Sequence, residues 1–249
     1  MKFANHIRTL LAAALLASAT IVSAQSNDAI AKAHAAYTAG DFRAAIESYQ
    51  SAEKSGVVNA ALFYDLGNAF FRAGDFGQAI LNYERALALK PQHPEAAANL
   101  QMAQDKAHAL ELRPAWWESA AEHATRNQWT IAAGVGFWLA IFCFAGWSLA
   151  RRRSLPVMLG GLLALVLAVG CGAAAYGLET GRRGHALAIV TEANTQARVA
   201  TADNASSVLA LPAGSEIKIL STRGDWIYAS LPNDLRGWIP VDSAQRVRM

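Results

Sequence analysis

The chain has 249 residues, of which 53% are hydrophobic and 16% charged, with a formal net charge of +3. That hydrophobic content excludes a disordered chain, and the length leaves room for more than one domain. Both cysteines, Cys143 and Cys171, fall inside apolar runs, which excludes a disulfide framework or a cysteine metal site in the polar segments.

The charge is unevenly spread. Residues 25–112 hold ten acids and seven bases, and residues 179–249 hold seven acids and eight bases. The basic excess comes from Lys2 and Arg8 at the start and from Arg151, Arg152 and Arg153 in the middle. Such an excess marks topology. It supplies no basic patch on a folded domain, and nucleic acid is not an expected partner.

At the N-terminus, Lys2, His6 and Arg8 precede the apolar run Thr9 to Val22, followed by "VSAQ". Small residues at Val22 and Ala24 predict a signal peptide over 1–24, cleaved after Ala24. An uncleaved anchor is the alternative, but fourteen apolar residues are short for a span. Either way a positive start sends residues from Gln25 outward.

A repeat follows. "AGDFRAAIESYQSA" (39–52) and "AGDFGQAILNYERA" (73–86) align without a gap at an offset of 34 residues. With Phe63, Leu66, Gly67, Phe70, Ala79, Tyr83 and Pro91, the second unit resembles the tetratricopeptide repeat in period and signature. Gly67 and Ala79 let two helices touch, Phe63, Phe70 and Tyr83 fill the space around them, and Pro91 ends the second helix. The first unit departs, with Lys32 and Ala33 in place of Leu66 and Gly67 and Val57 in place of Pro91, and is expected to be an edge repeat. Residues 94–112 predict one capping helix, which completes an α-helical stack over 26–112.

Such a stack offers a concave groove. Its expected lining is Ile30, His34 and Tyr37 from the first unit, Tyr64, Asp65, Asn68, Phe71 and Arg72 from the second, and Glu95, Asn99 and Met102 from the cap. Asp65 and Glu95 disfavour the carboxylate terminus that some members of this family capture, so a neutral or basic segment of another protein is the expected occupant. Tyr64, Asp65, Asn68 and Arg72 are the side chains expected to hold it, while Phe63, Leu66 and Gly67 serve folding. Residues 113–128, with Trp116 and Trp117, predict a juxtamembrane helix in the membrane interface, packing on the cap being the alternative.

Trp129 to Ala150 and Leu155 to Leu178 are uncharged runs of 22 and 24 residues, long enough for transmembrane helices. The four residues 151–154 between them force an antiparallel hairpin. With the N-terminus deciding, the arginine loop is cytoplasmic and both polar segments are periplasmic, in a two-pass protein of a bacterial inner membrane. No ionisable group lies within either span, which excludes a proton relay there. Ala132, Gly136 and Ala140 in one span, and Ala168 and Gly172 in the other, invite close helix packing. Cys143 and Cys171 differ in depth by about 13 Å at the helical rise, too far to bridge.

From His185 the chain changes to seven short runs rich in Val, Ile, Trp and Tyr, which predict a small all-β barrel over 185–249. The phrases "ARVATADNASSVLALPAGSEIKIL", "GDWIYASL" and "RGWIPV" resemble a bacterial SH3-like domain. Trp226 and Trp238 are expected to pack the barrel; with Tyr228 and Arg198 they form the alternative, a shallow peptide or glycan cleft.

No HExxH, GxSxG, P-loop or strand-borne GxGxxG is present, and Glu118 and Glu122 fit a solvated helix face. No catalytic residue, metal site or cofactor is therefore expected. A wall-hydrolase accessory is the enzymatic alternative suggested by the SH3-like resemblance. The order of signal peptide, short tetratricopeptide stack, hairpin and SH3-like domain resembles the BatE-type proteins of bacterial aerotolerance operons. That resemblance implies a non-catalytic scaffold beside membrane proteins with von Willebrand A domains and, indirectly, a MoxR-type ATPase. Peptidoglycan and the lipid bilayer are further expected partners.

Overall fold

The computed structural model describes residues 28–113, 121, 124–150, 154–180 and 184–248. The signal peptide, Trp116, Trp117, Glu118, Glu122 and the arginine triplet lie outside them.

The N-terminal part is an antiparallel stack of helices: α1 (28–38), α2 (Phe42–Lys54), α3 (Ala60–Ala73), α4 (Phe76–Leu89) and α5 (Pro94–Ala107). The sequence repeat becomes a repeated turn. Gly40 and Gly74 take φ of 81° and 86°, a region open to glycine, and the next residue, Asp41 or Asp75, caps the following helix. Asp41 Oδ1 accepts from Ala44 N–H at 3.0 Å and Asp75 Oδ1 from Gln78 N–H at 3.1 Å. Between α3 and α4 the backbones close until a Cβ on Gly67 would lie 2.7 Å from the Tyr83 ring. The core of the stack is Tyr49, Phe63, Leu66, Ile80, Leu81 and Tyr83, all at most 1% exposed.

The cap differs from expectation. Helix α5 stops at Ala107, not at Leu112, because His108 turns left-handed at φ 50°. The next residues are taken by the C-terminal part instead. Leu110 N–H donates to Ser215 Oγ at 3.1 Å, its carbonyl accepts from Glu216 N–H at 2.9 Å, and Leu112 N–H donates to Glu216 Oε2 at 3.1 Å. These bonds satisfy the backbone without a helix.

Two helices follow, α6 (Arg126–Leu149) and α7 (Leu155–Thr180), both long and apolar enough to cross a membrane. A core helix of a soluble protein would be mostly buried, yet their apolar windows are only 6% and 11% buried. They pair antiparallel through small residues. A Cβ on Gly136 would meet Ala168 Cβ at 3.1 Å, and one on Gly161 would meet Cys143 Cβ at 3.0 Å. Ala140 is buried there as well, whereas Ala132 is exposed and Gly172 faces open space. Thr125 and Gln128 cap α6 reciprocally, and Arg126 Nη1 meets Glu179 Oε1 at 3.2 Å, joining the two helices at the end nearest the soluble parts. Both cysteines are free.

The C-terminal part is one antiparallel sheet of β1 (Leu187–Val190), β2 (Thr195–Arg198), β3 (Ser207–Leu211), β4 (Glu216–Arg223), β5 (Trp226–Ser230), β6 (Arg236–Pro240) and β7 (Ala244–Arg246). Its order is β3-β2-β6-β5-β4-β1-β7. The edges β3 and β7 do not pair, so the expected closed barrel is an open, curled sheet. Register shifts at Ala197/Arg198 and Ile219/Ser221 bend it around Ile217, Ile227, Ala229 and Ile239.

Stack and sheet share a core. Leu187, Ile189 and Val247 of the sheet belong to the same buried cluster as Ile80, Leu81 and Leu87 of α4. The approach is tight, since a Cβ on Gly77 would lie 3.0 Å from Ala213 Cβ. Arg85, half-buried beside the ring of Phe63, meets Glu53 Oε1 at 3.5 Å and donates to the Arg246 carbonyl at 3.4 Å. Gly214 is held at φ +90°, and any Cβ there would strike Ile80 Cδ1. Gly214→Val should therefore destabilise by about 2 kcal/mol or more, from left-handed strain and overpacking together. Urea unfolding of the detergent-solubilised protein, followed by helical circular dichroism, should show the stack itself unfolding earlier; an unchanged helical transition would mean that stack and sheet unfold independently.

Candidate partner-binding groove

The concave side of the stack is built by α1, α3 and α5, with α4 as its floor. A cavity of about 140 Å³ opens between Tyr37, Asn68, Phe71, Arg72, Tyr83, Asn99 and Met102. Six of these seven are side chains that the sequence assigns to the groove. Tyr83 is the addition. Its ring is core, but its hydroxyl reaches the floor and donates to Asn68 Oδ1 at 2.8 Å. A buried tyrosine needs a partner for its hydroxyl, and that was the signal available in the sequence.

Asn68 is consequently less free than its position suggests. Its Oδ1 also accepts from Asn99 Nδ2 at 2.8 Å. With Oδ1 held by two donors, Asn68 turns its amide N–H groups away from that junction and Asn99 keeps its oxygen as an acceptor. Removing Asn68 would orphan the Tyr83 hydroxyl, a cost of about 1–3 kcal/mol. Asn68 thus supports folding as well as lining the cavity.

One helical turn before Asn68 lies Asp65, beside His34, His93 and Tyr64. The phenol of Tyr49, 1% exposed, has its pKa raised mainly by burial and remains a donor. It lies 3.1 Å from His34 Nδ1, and the other ring nitrogen, Nε2, is 3.9 Å from Asp65 Oδ2. That gap is too long for a hydrogen bond. His93, which the sequence does not single out, caps α5 by accepting from Ala96 N–H at 3.3 Å and lies against Tyr64 with ring centroids 4.9 Å apart. It also meets Glu95 at 3.0 Å. Ile30, like Tyr37, Tyr64 and Phe71, is partly buried against the core of the stack; unlike Tyr37 and Phe71 it does not line the cavity.

Burial raises the Asp65 carboxyl above its ordinary value, and the nearby imidazoles of His34 and His93 only partly oppose this. Farther along α3, Arg72 stands over the Phe42 ring with its guanidinium 4.7 Å from the centroid. The groove therefore runs from an anionic end at Asp65 to a cationic end at Arg72.

The second constellation lies on the sheet face opposite its core. Arg198, Tyr228 and Trp238 are cross-strand neighbours, and Trp226 stands two residues before Tyr228 on the same face. Tyr228 and Trp238 stack with centroids 4.9 Å apart, and Arg198 Nη1 donates to the Ala205 carbonyl at 3.0 Å. All four are half-buried. The tryptophans are therefore not packed inside the sheet; they form its outer aromatic strip. Among the described residues no group of three or more His, Cys, Asp or Glu could hold a metal ion.

Residues 30–94 match the tetratricopeptide repeat family. Over these residues the helical stack is a tetratricopeptide-like region. The match spans α1 to the start of α5 and so contains the anionic end of the groove, though not Asn99 or Met102. No curated protein matches the chain.

The raised Asp65 carboxyl has a consequence for stability. A carboxyl whose folded pKa lies above its unfolded one favours folding below the unfolded value and loses that advantage as pH rises through the folded value. Asp65→Asn should therefore raise the melting temperature at pH 7 and leave it nearly unchanged near pH 3, measured by thermal unfolding across pH. A lower melting temperature at pH 7 would mean that the ionised carboxylate is stabilised where it stands.

Proposed function

We propose that the protein is a non-catalytic membrane adaptor whose tetratricopeptide groove holds an extended segment of a partner protein. The observation that carries this reading is a cavity lined by Arg72 and the Asn68 and Asn99 amides, with Asp65 one helical turn away, in a module tied by a shared core to a second module, with an exposed apolar hairpin between them. Stack and sheet share buried residues, so they occupy the same side of any membrane that the hairpin crosses. The signal-like N-terminus and Arg151 to Arg153 make that side periplasmic and the loop cytoplasmic. Held at one membrane, two modest sites raise each partner's effective concentration for the other, so neither need be tight.

The order of parts supports placement among the BatE-type proteins of aerotolerance operons, with the C-terminal sheet as an SH3-like domain. In that setting the partners are membrane proteins with von Willebrand A domains, and through them a MoxR-type ATPase. A second reading rests on the sheet's outer strip. Tyr228, Trp238 and Trp226 beside Arg198 offer rings for sugars and a cation for peptide carboxylates, which suits peptidoglycan.

Topology and binding are tested separately. With Cys143 and Cys171 replaced, single cysteines at Ser55 and Ser206 should react with an impermeant reagent in cells whose outer membrane alone is permeabilised, and one at Ser154 should not; the opposite pattern would reverse the orientation. Met102 is 49% exposed at the cavity rim. Met102→Trp should fill the cavity without a folding cost and reduce the co-purified partner at least tenfold, scored by quantitative mass spectrometry after crosslinking in native membranes. If every partner is retained at wild-type level, the groove is not the binding site; sedimentation of the purified protein with peptidoglycan then tests the sheet.

A further inference from the structure

Two charges in the groove are left unanswered by the fold. Among the described residues, Asp65 has no hydrogen-bond donor, and its one ion-pair contact is the His34 imidazole at 3.9 Å. Its side chain is only 29% exposed, so water solvates it incompletely. Arg72 is exposed and rests on Phe42, and among the described residues no carboxylate pairs with it. Both project from α3 on the side that faces the groove, as does Asn68 between them.

Their spacing specifies a ligand. Asp65 and Arg72 are seven residues apart on one helix, about 10.5 Å at the helical rise. A polyproline II segment rises about 3.1 Å per residue and brings every third side chain back to the same side, so residues three apart stand about 9.3 Å apart and face the same wall. A β-strand would place residues three apart on opposite faces. The aromatic lining of Tyr37 and Phe71 suits such an extended segment, whose backbone carries no internal hydrogen bonds and can use the polar groups of Asn68 and Asn99.

Resting on the groove reading above, we propose that the partner segment is a polyproline II stretch with a lysine or arginine three positions from an aspartate or glutamate. The basic side chain pairs with Asp65, and the acidic one pairs with Arg72. Asp65 and Arg72 are then the specificity-determining residues. The groups acting on Asp65 are His34 from α1, Tyr49 from α2 and His93 at the cap. Of these only the histidines can compete for it as cations. His34 is 55% exposed and tied to Tyr49, so its imidazole stays 3.9 Å from Asp65, whereas the incoming ammonium or guanidinium can close on the carboxylate and carries its charge throughout the physiological range.

The test is selection of a phage-displayed library of random twelve-residue peptides against the full-length protein in nanodiscs, followed by affinity measurement on synthetic peptides. Enriched peptides should carry opposite charges three residues apart. Replacing both charges of such a peptide by glutamine should weaken binding at least tenfold. Asp65→Lys should lose the peptide that wild type prefers, and the double variant Asp65→Lys, Arg72→Glu should bind peptides with the two charges exchanged. That recovery separates recognition from misfolding.

Enriched peptides without the charge pair, no enriched peptide at all, or equal affinity after neutralisation would overturn the proposal. The groove reading fails on different evidence, namely a native partner that co-purifies undiminished with Met102→Trp.

Discussion

The packing of α4 on two sides at once is the constraint on which the rest depends. Most surface helices bury one stripe, but α4 buries Gly77, Ala79, Ile80, Leu81, Asn82, Tyr83, Ala86 and Leu87, positions that run around its circumference. One side closes on α3 and α5, where Gly67 admits the Tyr83 ring. The other closes on β1, β7 and the Ala213-Gly214 turn. A helix with Gly77 on one side and a tyrosine hydroxyl reaching the groove on another couples the sheet's position to the groove floor through a single rigid element.

That coupling changes the meaning of the segment joining stack and hairpin. Residues 109–112 do not extend the cap; they bond to Ser215 and Glu216 at the start of β4. The chain is thus fixed to the sheet just before it leaves for α6, and it returns near the same place through His185, whose backbone N–H donates to the Glu179 carbonyl at 3.1 Å. Residues 28–113 and 184–248 behave as two parts of one body, with the apolar hairpin as an insertion between them. In the proposed arrangement that body stands on one leaflet, and the hairpin carries no chemistry of its own.

The groove combines ordered and unsatisfied polar groups. Asn68, Asn99 and Tyr83 satisfy one another, which fixes their orientation without a ligand. Asp65 and Arg72 do not, and a half-buried carboxylate without a donor costs stability whenever it is ionised. In the proposed reading, preorganised amides beside Arg72, which no carboxylate among the described residues pairs with, and Asp65, whose one ion-pair contact among them is His34 at 3.9 Å, suit recognition better than packing.

Much of this was legible in the sequence. The 34-residue repeat fixed the helix pairs and their glycine-aspartate turns, because a turn that needs a positive φ and an N-cap admits few residues at those two places. The uncharged lengths of the two long helices and the seven short runs rich in Val, Ile, Trp and Tyr were equally plain, since each is a local feature of the chain. Six of the seven side chains around the small cavity follow from helical spacing, which decides which residues share a face. What the sequence could not decide was which faces meet across long separations. The end of α5 at His108, the docking of Ile80 on Gly214, the role of Asn68 as acceptor for Tyr83 and the failure of the sheet to close all depend on partners far away along the chain. A local pattern records that a residue will be buried. Only the tertiary structure decides against what.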